Sequence, residues 1–177
     1  MIRLVALTGR AGAGKTTLAK RLEKELGFTR TSFAAPIRRM LGELGISHDD
    51  FTGDKEAPHP LLGGVSLRHA MQTLGTEWGC MCINQDIWSG IWEKEARELV
   101  KAGPVVVDDC RFVNEVSSVR ALGGVIVRVH NSRVHLPVTH ASERGVGVED
   151  FTILNEGSPD DAYAALTKFL TKDQNTA

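Results

Sequence analysis

The sequence predicts an α/β domain, a parallel five-stranded sheet flanked by helices. Three observations predict it. Short apolar runs alternate with segments of helical period, the first run leads straight into a glycine-rich loop, and Val105, Val106 and Val107 end in two aspartates. Strands that alternate with helices need crossover connections, and crossovers cover both faces of a parallel sheet.

Residues 2–8 suit a buried parallel strand. Residues 16–26 follow with Leu18, Ala19, Leu22 and Leu26 at helical spacing, and Gly27 ends them. Residues 28–33 form a weaker second strand. Pro36 opens a helix with Ile37, Met40, Leu41 and Leu44 on one face and Gly45 behind it. Residues 47–64 hold Asp49, Asp50, Gly53, Pro58, Pro60, Gly63 and Gly64, the composition of a mobile surface loop. Residues 66–76 and 87–102 are helical again. Residues 104–108 are the clearest strand, 114–122 a short helix closed by Gly123 and Gly124, and 125–129 the next strand. Residues 151–154 give the last strand, 160–170 an amphipathic helix, and 171–177 a frayed tail.

A length of 177 residues fits one domain with a small substrate-binding insertion. The composition, 42% hydrophobic and 24% charged, supplies a core without a disulfide or metal staple. A net charge of -1 speaks against a nucleic-acid polymer as partner, though not against a nucleotide site built from local Arg and Lys. Cys80, Cys82 and Cys110 are odd in number and include one C-x-C pair, which is neither a disulfide framework nor a zinc quartet. Reduced structural thiols in a cytoplasmic protein are the expectation. The N-terminus lacks the features of a signal peptide, and no run nears the ~18 apolar residues of a membrane span.

The strongest signal is Gly9-Arg10-Ala11-Gly12-Ala13-Gly14-Lys15-Thr16, a complete G-x-x-x-x-G-K-[ST] motif between an expected strand and an expected helix. Glycines let the backbone fold into a nest of inward N–H groups, and the helix N-terminus adds its positive end. Lys15 supplies a cation to the β- and γ-phosphates, and the Thr16 hydroxyl is suited to Mg²⁺. The bland alternative is a glycine turn with Lys15 merely solvated. With the motif in place, the expected architecture is a P-loop kinase fold with an acceptor-binding insertion near residues 46–80 and a short lid near 130–145.

Phosphate loops serve kinases, switches and motors. A GTPase switch would carry Asn-Lys-x-Asp, which is absent from the sequence, and the chain is short for a motor. The valine strand ending at Asp108 and Asp109 presents carboxylates where parallel sheets meet their ligands, unless it is simply a solvated strand end.

Four stretches together resemble the phage-type deoxynucleoside monophosphate kinases: the glycine loop, Phe33-Ala34-Ala35-Pro36-Ile37-Arg38, Gln72-Thr73-Leu74-Gly75-Thr76-Glu77-Trp78-Gly79, and Asp109-Cys110-Arg111-Phe112-Val113-Asn114-Glu115. His140-Ala141-Ser142-Glu143 and Asn155-Glu156-Gly157 complete the pattern. The resemblance implies transfer of phosphate from ATP, with Mg²⁺, to a deoxynucleoside monophosphate. It also implies a small-molecule nucleotide as partner and, if phage-encoded, the host cytoplasm; the missing signal peptide and apolar span point to a cytoplasmic protein with no membrane partner, and a homodimer is left open. Two departures stand out: Cys80 where the family usually has Arg, and Val113 where it usually has Pro.

In-line phosphoryl transfer is mainly positioning and charge neutralisation. Donor-side candidates are Arg10, Gly12, Ala13, Gly14, Lys15, Thr16 and Thr17. The resemblance adds Asn155, with its following turn, where adenine packs. Acceptor-side candidates are Arg38, Arg68, Gln72 and Trp78. Arg68 and Gln72 lie four apart on one helix face, suited to a base edge or to plain solvent. Asp109 is expected to orient Mg²⁺ or the acceptor. Arg111 is expected to clamp the transferring group, unless it pairs with Glu115. Arg133 and Arg144 are lid candidates. Catalysis is thus expected to rest on Lys15, Asp109 and Arg111, with Thr16 and Asp109 toward the metal. Phosphomevalonate kinase-like, dephospho-coenzyme A kinase-like and transfer-inactive nucleotide-binding readings are the alternatives.

Overall fold

In the computed structural model, residues 2–134 and 146–171 are described. The lid candidate Arg144, the His140-Ala141-Ser142-Glu143 stretch and the expected C-terminal tail beyond Thr171 lie outside the described residues. The chain falls into two compact units, residues 1–32 with 93–177 and residues 33–92.

The first unit is built on a sheet whose strands are β1 (Leu4–Thr8), β2 (Thr29–Thr31), β3 (Val105–Val107), β4 (Val125–His130) and β5 (Phe151–Leu154), in the order β2-β3-β1-β4-β5. Every pairing is parallel. The expected five-stranded parallel sheet is therefore present. Its central strands read as unbroken apolar runs because both faces are covered: Leu4, Val5, Ala6, Leu7, Val105, Val106 and Val107 are all buried. Helix α1 (Lys15–Leu26) presents Leu18, Ala19 and Leu22 at a helical period to this core, and the C-terminal helix (Pro159–Thr171) adds Tyr163, Leu166 and Leu170. A third helix of this unit, residues Val113–Ala121, follows the aspartate strand.

The second unit is helical. Helix α2 (Ala35–Glu43) buries Ile37 and Leu41, whereas Met40 and Leu44 are exposed. The expected four-residue face narrows to an i, i+4 pair because the helix ends at Glu43 and leaves Leu44 beyond its last turn. Residues 47–64 are more structured than a loop. Ser47 and Asp50 form a reciprocal cap on α3 (His48–Thr52), and a 3₁₀ turn spans Pro60–Leu62.

Helix α4 (Leu67–Gln72) does not stop near Thr76 but widens into a π-helix, Thr73–Ile83. The cause lies with Trp88. Its indole N–H donates to the Gly75 carbonyl at 2.7 Å, and its ring lies 2.5 Å from where a Cβ on Gly79 would sit. Only glycine at 79 admits the ring, and a side chain bonded to a helical carbonyl is a recognised companion of such a widened turn. Ile37, Leu41, Ile46, Leu67 and Trp88 form the core of this unit. Trp88 lies in the first turn of the long helix α5 (Ile87–Ala102), whose residues 87–92 belong to the second unit. No described helix is long and apolar enough to cross a membrane.

With α5 counted fifth, the helix Val113–Ala121 is α6 and Pro159–Thr171 is α7.

Candidate active site

Strands β1 and β3 lie side by side in parallel register, Ala6 opposite Val107, so their C-terminal ends emerge from the same edge of the sheet. From β1 runs the glycine loop; from β3 run Asp108 and Asp109. This edge is where parallel sheets present loops to ligands.

The loop closes on itself. Ala13 N–H donates to Arg10 O at 3.2 Å, and Gly14 takes φ 103, a left-handed conformation, as the residue before α1. No side chain caps α1, and its first turn holds no acidic residue, which leaves the positive helix end toward the loop uncompensated. Lys15 is drawn over the loop, its Nζ donating to Gly9 O at 2.6 Å and Arg10 O at 2.7 Å, and it is only 8% exposed. The solvated-lysine alternative is thereby removed. Thr16 and Thr17 stand exposed on the first turn of α1. Arg10 reaches Val134 O at 3.4 Å, and the Asn155 side chain donates to Ala13 O at 2.9 Å. The donor-side candidates thus cluster around one loop. Arg133 lies nearby in sequence to Val134 and donates to Glu156 O at 2.6 Å.

The aspartate loop is held by two residues that sequence reasoning did not single out. Ser32, at the end of β2, donates its hydroxyl to Asp109 Oδ2 at 2.6 Å. Glu115 is buried, and one of its oxygens accepts from the Arg111 amide at 2.6 Å and the Phe112 amide at 3.0 Å. It therefore grips the backbone at Arg111 and starts α6, rather than serving chiefly as a surface partner of the guanidinium. Burial, and then the charge of Asp109, push the Glu115 carboxyl up to about 8. A Glu three residues beyond Phe112 is the available sequence signal for that cap; the Ser32 contact, between residues 77 apart, has none. Asp108 is buried, 3.8 Å from Arg30, and belongs to a structural pair.

In the second unit the acceptor-side candidates are dispersed along three elements. Arg38 lies on α2, and its buried Nε has no hydrogen-bond partner among the described residues. Arg68 and Gln72 are exposed on α4, with the Arg68 guanidinium paired to Glu56. Trp78, on the π-helix, is 41% exposed and tilted against Trp88 at 6.2 Å. Cys80 packs among the apolar side chains of this unit, and burial pushes the Cys110 thiol far up, which makes it an inert core group. None of the cysteines forms a disulfide.

Residues 62–166 match the family model described as deoxynucleotide monophosphate kinase. The chain belongs to that family. The matched span holds the Leu74–Gly79 and Asp109–Glu115 runs and begins after the glycine loop. A protein of Acanthamoeba polyphaga mimivirus, with the provisional name of deoxynucleotide monophosphate kinase, is 28% identical across 92% of this chain and 93% of its own length. The deoxynucleotide monophosphate kinase of Escherichia phage RB69 is 28% identical across 66% of this chain and 49% of that protein. Among solved structures, shikimate kinase of Aquifex aeolicus superposes with a TM-score of 0.57 at 12% identity, over 94% of this chain and 95% of that one. The APS kinase of Mycobacterium tuberculosis gives 0.51 at 15% identity, over 95% and 96%. At such identities the likeness is one of fold, and the fold is that of the P-loop kinases. Family membership makes the chain a phosphotransferase of the nucleotide kinase class, and it favours this reading over the phosphomevalonate and dephospho-coenzyme A alternatives.

Proposed function

We propose that this chain moves the γ-phosphoryl group of ATP onto a deoxynucleoside monophosphate, giving ADP and the deoxynucleoside diphosphate. The observation that carries the reading is Lys15, drawn over a closed glycine loop at 2.6 and 2.7 Å from two loop carbonyls, in a member of this family.

A bound triphosphate offers Lys15 better acceptors than neutral carbonyls, so the ammonium exchanges Gly9 O and Arg10 O for β- and γ-oxygens. Backbone N–H groups from Gly12 to Thr17 cradle the chain of phosphates, with Arg10 beside the γ-phosphate. The acceptor's phosphate has a second pKa near ~6, so its attacking oxygen is already ionised at neutral pH. No general base is needed, and the task of Asp109 is orientation. Thr16 Oγ1 and the Asp109 carboxylate are hard oxygen donors of the kind Mg²⁺ accepts alongside water and phosphate. That ion, when bound, neutralises phosphate charge. Arg111 clamps the transferring group, its backbone held by Glu115. Arg38 takes the acceptor phosphate, and Gln72, Arg68 and Trp78 take its base. Arg133 contributes a cation to water exclusion over the phosphates.

A coupled ADP-release assay with each deoxynucleoside monophosphate, and with phosphomevalonate, tests this. ADP release that depends on one or more deoxynucleotides is the expected result. Release indifferent to acceptor, or dependent on phosphomevalonate alone, would overturn it. The partner is then a small-molecule nucleotide, and light scattering reads out whether the active form is a homodimer.

A further inference from the structure

Asn155, just past β5, reaches across to the glycine loop. Its backbone N–H continues the β4–β5 ladder, donating to His130 O at 2.7 Å, which fixes the base of the side chain. Its Nδ2 donates to Ala13 O at 2.9 Å. The same nitrogen lies 2.5 Å from where a Cβ on Gly14 would be, so the amide packs against the loop, and with its positive φ position 14 favours glycine. Donor and loop are 142 residues apart, so this contact is made by the fold and not by local chain geometry.

A trans peptide is planar, and its C=O and N–H point in opposite directions. There are no cis peptides among the described residues, so holding Ala13 O toward Asn155 aims the Gly14 N–H the opposite way. Among the described residues the Gly14 amide finds no hydrogen-bond partner. Left to itself, a peptide flanked by glycine can turn over at little cost, because glycine accepts both signs of φ. A turned peptide would present a carbonyl oxygen where the anion needs a donor.

We infer that Asn155 is a positioning residue of the phosphate nest, locking the Ala13–Gly14 peptide so that the Gly14 N–H faces the phosphates, rather than a residue that reads adenine. The inference rests on the proposed nucleotide site and deepens it.

The two roles separate with a ligand that has phosphates but no base. Binding of ATP and of inorganic tripolyphosphate, each with magnesium, is measured by calorimetry for the parent protein, Asn155→Leu and Asn155→Ser. Asn155→Leu keeps the size but removes the donor without adding charge; Asn155→Ser is too short to reach and guards against a folding defect in the first. The expected result is a loss of about tenfold for both ligands, alike in both variants, the scale of one well-placed hydrogen bond. A loss for ATP alone would show an adenine contact and overturn the inference, as would unchanged binding of both ligands. If the parent protein itself binds neither ligand, the nucleotide site falls and this inference falls with it, a result distinct from either of those.

Discussion

The two units treat their polar side chains differently. Around the glycine loop the candidates are held by partly buried hydrogen bonds: Lys15 by two loop carbonyls, Asp109 by Ser32, Arg111 through its amide by Glu115, and the loop itself by Asn155. In the helical unit Gln72 and Arg68 stand at the surface, the latter on an ion pair with Glu56, and Trp78 is 41% exposed. Exposed ion pairs hold geometry weakly, contributing roughly 0–1 kcal/mol, whereas short hydrogen bonds shielded from solvent hold an atom's place before the ligand arrives. On the proposed assignment, the contrast teaches that the donor side is set in advance and the acceptor side is left adaptable. Preorganisation belongs where charge moves in the transition state, and adaptability suits a substrate that must enter and leave.

The comparison breaks first, if it breaks, at the loop. Lys15→Ala is expected to lower kcat by about 10³-fold, and Arg111→Ala by about 10²–10³-fold, with melting temperatures close to the parent. Near-parent turnover in both would remove the mechanism. On the acceptor side the effect is smaller and of another kind. Arg38→Ala should raise KM for the deoxynucleotide by roughly tenfold or more, because its buried Nε has no described partner to keep it occupied. Arg68→Ala, whose guanidinium is already taken by Glu56, should raise KM by only about two- to fivefold. Steady-state kinetics with ATP saturating checks both, and a kcat effect larger than the KM effect would contradict the division of labour.

Smallest on turnover, and confined to stability, is the effect expected at Glu115. Its folded pKa is raised, from 4.5 to about 8, so the folded state favours the protonated acid. Stability from that group is complete below about pH 4.5 and is lost as pH rises toward 8. Glu115→Gln keeps an acceptor oxygen for the two amides and carries no charge. Thermal melts from pH 5 to 8 should therefore show the variant gaining on the parent as pH rises; a parallel pair of curves would contradict this.

Much of the first unit was legible beforehand because its signals are local. An unbroken valine run, a glycine motif and helical periods each lie within one stretch of chain, and the strands and helices emerged within a few residues of expectation. The second unit was less legible. The Gly and Pro content of residues 47–64 points to a loop, though Ser47 and Asp50 carry a readable capping pattern. The π-helix was invisible, since it depends on Trp88 meeting Gly75 and Gly79 across the unit. For the same reason neither the Ser32–Asp109 nor the Asn155–Ala13 contact could be read: residue types alone do not say which distant partner the fold brings to them.

The central claim is that phosphate leaves ATP for a nucleotide and not for water. Following γ-labelled ATP with magnesium and a deoxynucleoside monophosphate tests it most directly. The label should appear in the deoxynucleoside diphosphate, one equivalent for each ADP formed; label recovered as inorganic phosphate would contradict the account.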